Sequence, residues 1–266
     1  MQQLYSITMS IVIWMLIVSI VINLLMFFPA FIFKTDKLTD ISYAITFILV
    51  ALVGYTFSPK SIAQLFLLII VIIWALRLGI FLFIRINKMR KDIRFDGIRE
   101  KFFIFLRFWL LQGLTVFIIS VPSILLWQRS ATKINWLSIL GIIVFIAGLL
   151  IESVADIQKY QFRNRNLKAW IDTGIWRACR HPNYLGEIMI WIGVYLFVTP
   201  SFNVALAVIS LIGPIYITAL LIFVSGIPLL EKSAEKKWGS EKDYREYKSK
   251  VPVLLPSFQS IRRIFR

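Results

Sequence analysis

Residues 62–84 read IAQLFLLIIVIIWALRLGIFLFI, an apolar run in which only Gln64 and Arg77 are strongly polar. As an α-helix this run would be about 34 Å long, enough to cross a hydrocarbon core of about 30 Å. Six further apolar runs lie to either side: about Ile7 to Phe33, Asp40 to Phe57, Phe102 to Trp127 with Pro122 interrupting it, Trp136 to Ile151, Tyr184 to Val198 and Ala205 to Leu230. The fold class that follows is all-α, a polytopic membrane helix bundle of about seven transmembrane helices. It forms one integral-membrane domain over residues 1–266, since the intervening loops are too short for a second. The composition agrees: 59% of the residues are hydrophobic and the mean hydropathy is +0.78, against roughly 45–50% apolar in soluble domains. The short alternating strands of a membrane barrel are absent from the sequence. The first run has neither a basic leader nor an A-x-A-like cleavage site, so it reads as a retained helix.

The net charge is +16 and the pI about 10.1. The bases are concentrated between the runs, in Arg85–Lys101, in Lys159–Arg180 and after Leu230. A seven-span chain puts these three segments on one side. The lightly charged loops Ser58–Lys60, Gln128–Asn135 and Thr199–Asn203 then fall on the other. By the positive-inside rule the N-terminus is outside and the C-terminus cytoplasmic. Topology and anionic membrane lipid thus account for the basic charge, and nucleic acid is not an expected partner. One cysteine and one histidine exclude an internal disulfide and a Cys/His metal cluster, so no metal is expected. No oligomeric state can be read from the sequence.

Polar residues concentrate at Arg177–Glu187, RACRHPNYLGE, which holds the single His and the single Cys. Pro182 suits the first turn of a helix, whose N–H groups favour an anion. The stretch reads as a cofactor pocket at the cytoplasmic mouth of the bundle; the plainer alternative is an interfacial anchor reaching lipid headgroups. Other polar groups lie where lipid would not tolerate them. Asp40 opens the second run, Arg77 lies deep in the third and Gln112 in the middle of the fourth. Arg77 and Asp40 could simply form a structural ion pair. Glu152, Asp156, Tyr160 and Arg163 recur at helical spacing and share a face, which either serves a ligand or holds nearby arginines. The tail reads as helix, breaker at Gly239 and helix, with Tyr244 and Tyr247 on one face, followed by the extended strip Val251–Pro256. It is expected to fold back over the mouth, the alternative being an amphipathic segment on lipid.

Arg180-His181-Pro182-Asn183-Tyr184-Leu185-Gly186-Glu187 resembles the signature of membrane sterol reductases of the C14/C24 class, and the tail with Trp238-Gly239, Tyr244, Tyr247 and Val251–Pro256 resembles theirs. Glu152–Arg163 with Asn183–Gly193 is similar to the steroid 5-alpha-reductase C-terminal region. The whole chain looks most like the bacterial DUF1295 branch of that superfamily. Isoprenylcysteine carboxyl methyltransferases share the RHP-x-Tyr-x-Gly element and the acidic, tyrosine-bearing tail. The resemblance implies a lipid-phase small-molecule substrate and NADPH, held by a C-terminal region over residues 151–258. Its cofactor-binding positions here would be Glu152, Asp156, Arg163, Arg180, His181, Asn183, Tyr184, Glu187, Glu231, Tyr244 and Tyr247. Arginines would meet phosphates, Asn and acids the ribose and amide, and aromatics the rings. With no G-x-G-x-x-G, a Rossmann site is not expected. The resemblance places the catalytic acid at Asp40, with Arg77 and Gln112, the latter in Leu111-Gln112-Gly113. The family's catalytic Tyr falls at Trp74, whose indole cannot supply a proton as a phenol does. The expected function is NADPH-dependent reduction of a carbon–carbon double bond in a lipid or steroid-like substrate. The alternatives are an S-adenosylmethionine-dependent membrane methyltransferase and a non-enzymatic lipid-binding protein.

Overall fold

The computed structural model describes residues 2–89, 95–165 and 169–265. Residues 90–94 of the basic loop Arg85–Lys101, and 166–168 of the Lys159–Arg180 stretch, lie outside the described residues. Among the described residues the regular structure is helical, with no strands, and seven stretches are long and apolar enough to cross a membrane. Five of these stretches contain the long helices α1 (Gln2–Ile32), α2 (Lys37–Thr56), α3 (Ile62–Met89), α4 (Phe102–Trp127) and α5 (Trp136–Arg165). The sixth contains α6 (Pro182–Val198). The seventh contains α7 (Val204–Ser210), α8 (Ile212–Ala219) and α9 (Ile227–Trp238), after which α10 (Lys242–Lys250) and α11 (Phe258–Arg262) follow in the tail.

Three expectations are corrected. Pro122 does not interrupt the fourth span: α4 runs through it, as membrane helices permit when neighbouring groups re-satisfy the freed carbonyl. The third helix continues past Ile84 to Met89, so Arg85 and Lys88 are helical. The seventh run is not one helix. Pro214 and Pro228 lack the N–H groups that would bond the carbonyls of Ser210 and Val224, and the chain turns at Leu211 and again at Ser225–Gly226. A π-turn over Leu220–Val224 leads into the second break, where the Ser225 N–H donates to the Leu220 carbonyl at 2.9 Å. A β-carbon on Gly226 would sit 2.4 Å from the Leu221 carbonyl oxygen, so only glycine fits there.

The chain divides into two compact units, residues 1–138 with 197–213, and residues 139–196 with 214–266. The segment 197–213, inside the expected 151–258 region, therefore belongs to the other unit. In the first unit α1 packs on α2 and α4, and α2 on α3. Phe27, Ala30, Phe95, Phe105 and Trp109 form an apolar cluster there. Beside it Arg99 makes ion pairs with the buried Asp36 at 2.7 Å and with Asp96 at 2.6 Å.

In the second unit α5 and α6 approach so closely that glycine is required at the contact. A β-carbon on Gly186 would lie 2.6 Å from both the Gly148 carbonyl oxygen and the Glu152 nitrogen. Small residues of this kind let membrane helices meet backbone to backbone. Gly186→Ala is expected to destabilise the protein by about 1–3 kcal/mol, because backbone, unlike a side-chain tip, cannot step aside. Thermal unfolding of the detergent-purified variant checks this; a midpoint equal to wild type would contradict the close approach. After α5 the chain folds back on that helix. The Trp176 indole N–H donates to the Ala155 carbonyl at 3.1 Å, and the Ile175 N–H to Gln158 Oε1 at 3.1 Å.

Candidate functional site

The residues expected to bind a cofactor all lie in the second unit, and the expected catalytic residues Asp40, Arg77 and Gln112 lie in the first. The second unit holds a pocket that is partly open to solvent. From α5 it is lined by Lys159, Phe162 and Arg163, from the following loop by Trp170, Trp176, Arg180 and His181, from α9 by Glu231, Lys237 and Trp238, and from α10 by Tyr244 and Tyr247. Six of the expected residues are thus brought together: Arg163, Arg180, His181, Glu231, Tyr244 and Tyr247. Glu152, Asp156, Asn183, Tyr184 and Glu187 do not line this pocket. Glu152 and Asp156 are buried farther back along α5.

Glu231 joins the loop to the tail. Its Oε1 lies 2.9 Å from His181 Nε2 and 3.2 Å from Arg180 Nε. Arg180 Nη1 donates to the Lys248 carbonyl at 2.9 Å, and the Tyr247 hydroxyl to the Trp176 carbonyl at 3.0 Å. The Val251–Pro256 strip completes the closure: the N–H groups of Arg180 and His181 donate to the carbonyls of Pro252 and Val253 at 2.9 and 3.2 Å. The tail therefore folds onto the Arg177–Glu187 stretch. It takes up two of the N–H groups just ahead of α6, which are no longer available to an anion. The pocket's cations are side chains instead: Lys159, Arg163, Arg180 and Lys237.

Burial pushes the His181 pKa below 6.5, aided by Lys159 and Arg180 and opposed by Glu231. At neutral pH the ring is therefore neutral, and a proton on Nε2 donates to Glu231. That tautomer is assigned from the hydrogen bond. Nδ1 is then a buried acceptor with no hydrogen-bond partner among the described residues, as is Asn183 Oδ1. Burial also raises the Tyr244 and Tyr247 phenols, which remain protonated. Because the folded pKa of His181 is lowered, its contribution to stability is full above about pH 6.5 and is lost as pH falls toward the folded value. On going from about pH 7.5 to about pH 5.5, wild type should lose more thermal stability than His181→Gln. Parallel losses would contradict this burial of a neutral ring.

The aromatic residues pack together. Trp170 stands 5.2 Å from Tyr244 and 6.1 Å from Trp238, ring centre to ring centre. Lys159 Nζ lies 4.8 Å from the centre of the Trp176 ring. Sequence reasoning missed Lys159, Trp170, Trp176 and Lys237 as site residues. Lys159 carried a readable signal, since it lies one helical turn before Arg163.

In the first unit, the Asp40 carboxylate pairs with Arg85 at 3.0 Å, a partner the sequence reading did not name. The Arg77 guanidinium lies 5.8 Å from the centre of the Phe81 ring. Gln112 Nε2 lies 2.9 Å from Asn23 Oδ1, 3.1 Å from the Thr39 carbonyl and 2.7 Å from Ser42 Oγ. Gln112 thus braces the turn of α2 that carries Asp40. Trp74 is fully buried, its ring edge-on to Phe47 at 4.9 Å.

A family model described as "Protein of unknown function (DUF1295)" matches residues 26–251. The chain belongs to this family. It is a steroid 5-alpha-reductase-like family. The match spans Asp40, Arg77 and Gln112 as well as every pocket-lining residue, and it stops short of residues 252–266. No curated protein and no solved structure matches the chain. In this family member the acidic position Asp40, the indole at Trp74 and the basic aromatic pocket therefore all fall within the family's own span.

Proposed function

We propose that the chain is an NADPH-dependent membrane reductase of a carbon–carbon double bond, conjugated to a carbonyl, in a lipid-phase substrate. The observation that carries this reading is the pocket's donor set: four cations and an aromatic cluster around one opening. NADPH bears a pyrophosphate and a 2′-phosphate, and Lys159, Arg163, Arg180 and Lys237 are suited to hold them. Trp170, Trp238 and Tyr244 offer ring faces for the bases. The unpartnered acceptor His181 Nδ1, on the pocket wall, suits a ribose hydroxyl or a carboxamide N–H. When bound, NADPH supplies a hydride.

In this reading Asp40 and Arg77 serve the substrate's carbonyl. Arg77 polarises it, and Asp40, held as an acceptor by Arg85, orients a water that delivers the proton accompanying the hydride. Gln112 is a positioning residue, acting through Thr39 and Ser42. Trp74 serves packing. In this reading the pocket and the C-terminal tail face the cytoplasm, as the positive-inside rule expects of the basic segments.

Methyl transfer from S-adenosylmethionine is the second reading. The same aromatic cluster favours it, because ring faces attract a sulfonium. The deciding experiment incubates the reconstituted protein with a lipid extract and NADPH deuterated at nicotinamide C4. The reductase reading expects a lipid product carrying one added deuterium. Methylated lipid formed from S-adenosylmethionine, with no deuterium transfer, would replace it.

A further inference from the structure

The last residues of the tail present a face that the pocket does not use. Residues 251–266 include Arg262, Arg263 and Arg266 and no acidic residue. Leu255 is 72% exposed, Phe258 71% and Ile261 42%. These side chains are held in place. Ser257 and Ser260 form a capping box that starts α11. The Arg262 guanidinium lies 4.3 Å from the centre of the Phe258 ring. Arg263 Nη1 donates to the Lys250 carbonyl at 2.6 Å, and Arg177 Nη1 to the Arg263 carbonyl at 3.4 Å.

The position of this edge follows from the strip before it. Pro252 and Val253 are hydrogen-bonded to Arg180 and His181, the two residues ahead of the span that begins at Pro182. The end of a span lies at the membrane–water boundary, and three extended residues reach at most about 10 Å. Leu255 therefore lies within about that distance of the boundary, and Phe258 three residues farther along the chain. Exposed apolar side chains beside arginines at this depth are the composition of an interfacial anchor.

We infer that Leu255, Phe258 and Ile261, together with Arg262 and Arg263, seat the tail in the headgroup region of a bilayer that contains anionic phospholipid. The charge of the segment selects this occupant. An anionic surface complements arginines that have no acid among them. A second copy of the chain meeting the same face would set arginine against arginine. The anchor lies almost wholly beyond the family match, which ends at residue 251. It does not depend on which cofactor the pocket takes.

The test uses the full chain in bilayers of phosphatidylcholine with phosphatidylglycerol, spin-labelled at Leu255→Cys, Phe258→Cys or, as an exposed polar reference, Ser249→Cys. Cys179 is buried and its thiol is pushed up to about 11, so it labels slowly, and the wild-type chain supplies the blank. Collision with oxygen relative to a water-soluble nickel chelate is expected to be several-fold greater at 255 and 258 than at 249. The difference should shrink when phosphatidylglycerol is omitted and in Arg262→Glu. Nickel access at 255 and 258 equal to that at 249 would overturn the anchor. Dipolar broadening with low access to both reagents would overturn it in favour of a second copy. Immersion indifferent to phosphatidylglycerol and to Arg262→Glu would overturn the assignment to anionic lipid.

Discussion

Arg180→Ala is expected to weaken NADPH binding by about tenfold or more, since a charge-assisted contact to phosphate contributes roughly 1.5–3 kcal/mol. Arg180 lines the pocket, pairs with Glu231 at 3.2 Å and holds the Lys248 carbonyl at 2.9 Å. The alanine variant therefore loses a cation and also loosens the tail. Arg180→Lys separates the two effects, because lysine restores the charge but not the fork that reaches both partners. Its affinity should fall between those of Arg180→Ala and wild type. The deficit in the alanine variant should narrow as salt is raised, since screening already weakens the wild-type contact. Titration of each detergent-solubilised variant at two ionic strengths checks this. Equal affinity in wild type and Arg180→Ala would remove Arg180 from the site.

Truncation after Gly239 is expected to abolish cofactor binding while the protein still inserts into the membrane. The seven candidate spans end at or before Trp238, so all of them remain. The cut removes Tyr244 and Tyr247 from the pocket wall, the Lys248 carbonyl from Arg180, and the carbonyls that accept from the Arg180 and His181 N–H groups. Two backbone donors and one guanidinium nitrogen would then be left to water, and Trp170 would lose the Tyr244 ring while keeping Trp238. Membrane fractionation and cofactor titration of the same preparation separate insertion from binding. A truncated protein with wild-type affinity would show the tail to be only a surface segment.

The membrane spans were legible because hydropathy is local. The run at residues 62–84 needs no partner to declare itself, and α3 starts where that run starts. The breaks in the seventh run had a local signal as well, in Pro214 and Pro228, but apolar composition masked it. Arg163, Arg180, His181, Glu231, Tyr244 and Tyr247 were legible as a set and share one pocket. The pocket's other wall was not. Trp170 and Trp238 meet at 6.1 Å although distant in sequence, and no periodicity records such a meeting. The same holds for Asp40, whose 3.0 Å pair with Arg85, toward the far end of α3, has no signal in the local sequence. Side-chain burial was equally hidden. The alternation that exposes Leu255 and Phe258 while burying Val251 depends on where the strip docks.

The ligand we propose for the basic aromatic pocket is a phosphate-bearing dinucleotide. The most direct measurement is a titration of purified wild-type protein, in detergent, with NADPH, NADH and S-adenosylmethionine side by side. Saturable binding of NADPH is expected, with weaker binding of NADH for want of the 2′-phosphate and salt-sensitive affinity for both. Saturable binding of S-adenosylmethionine with none of NADPH would contradict it.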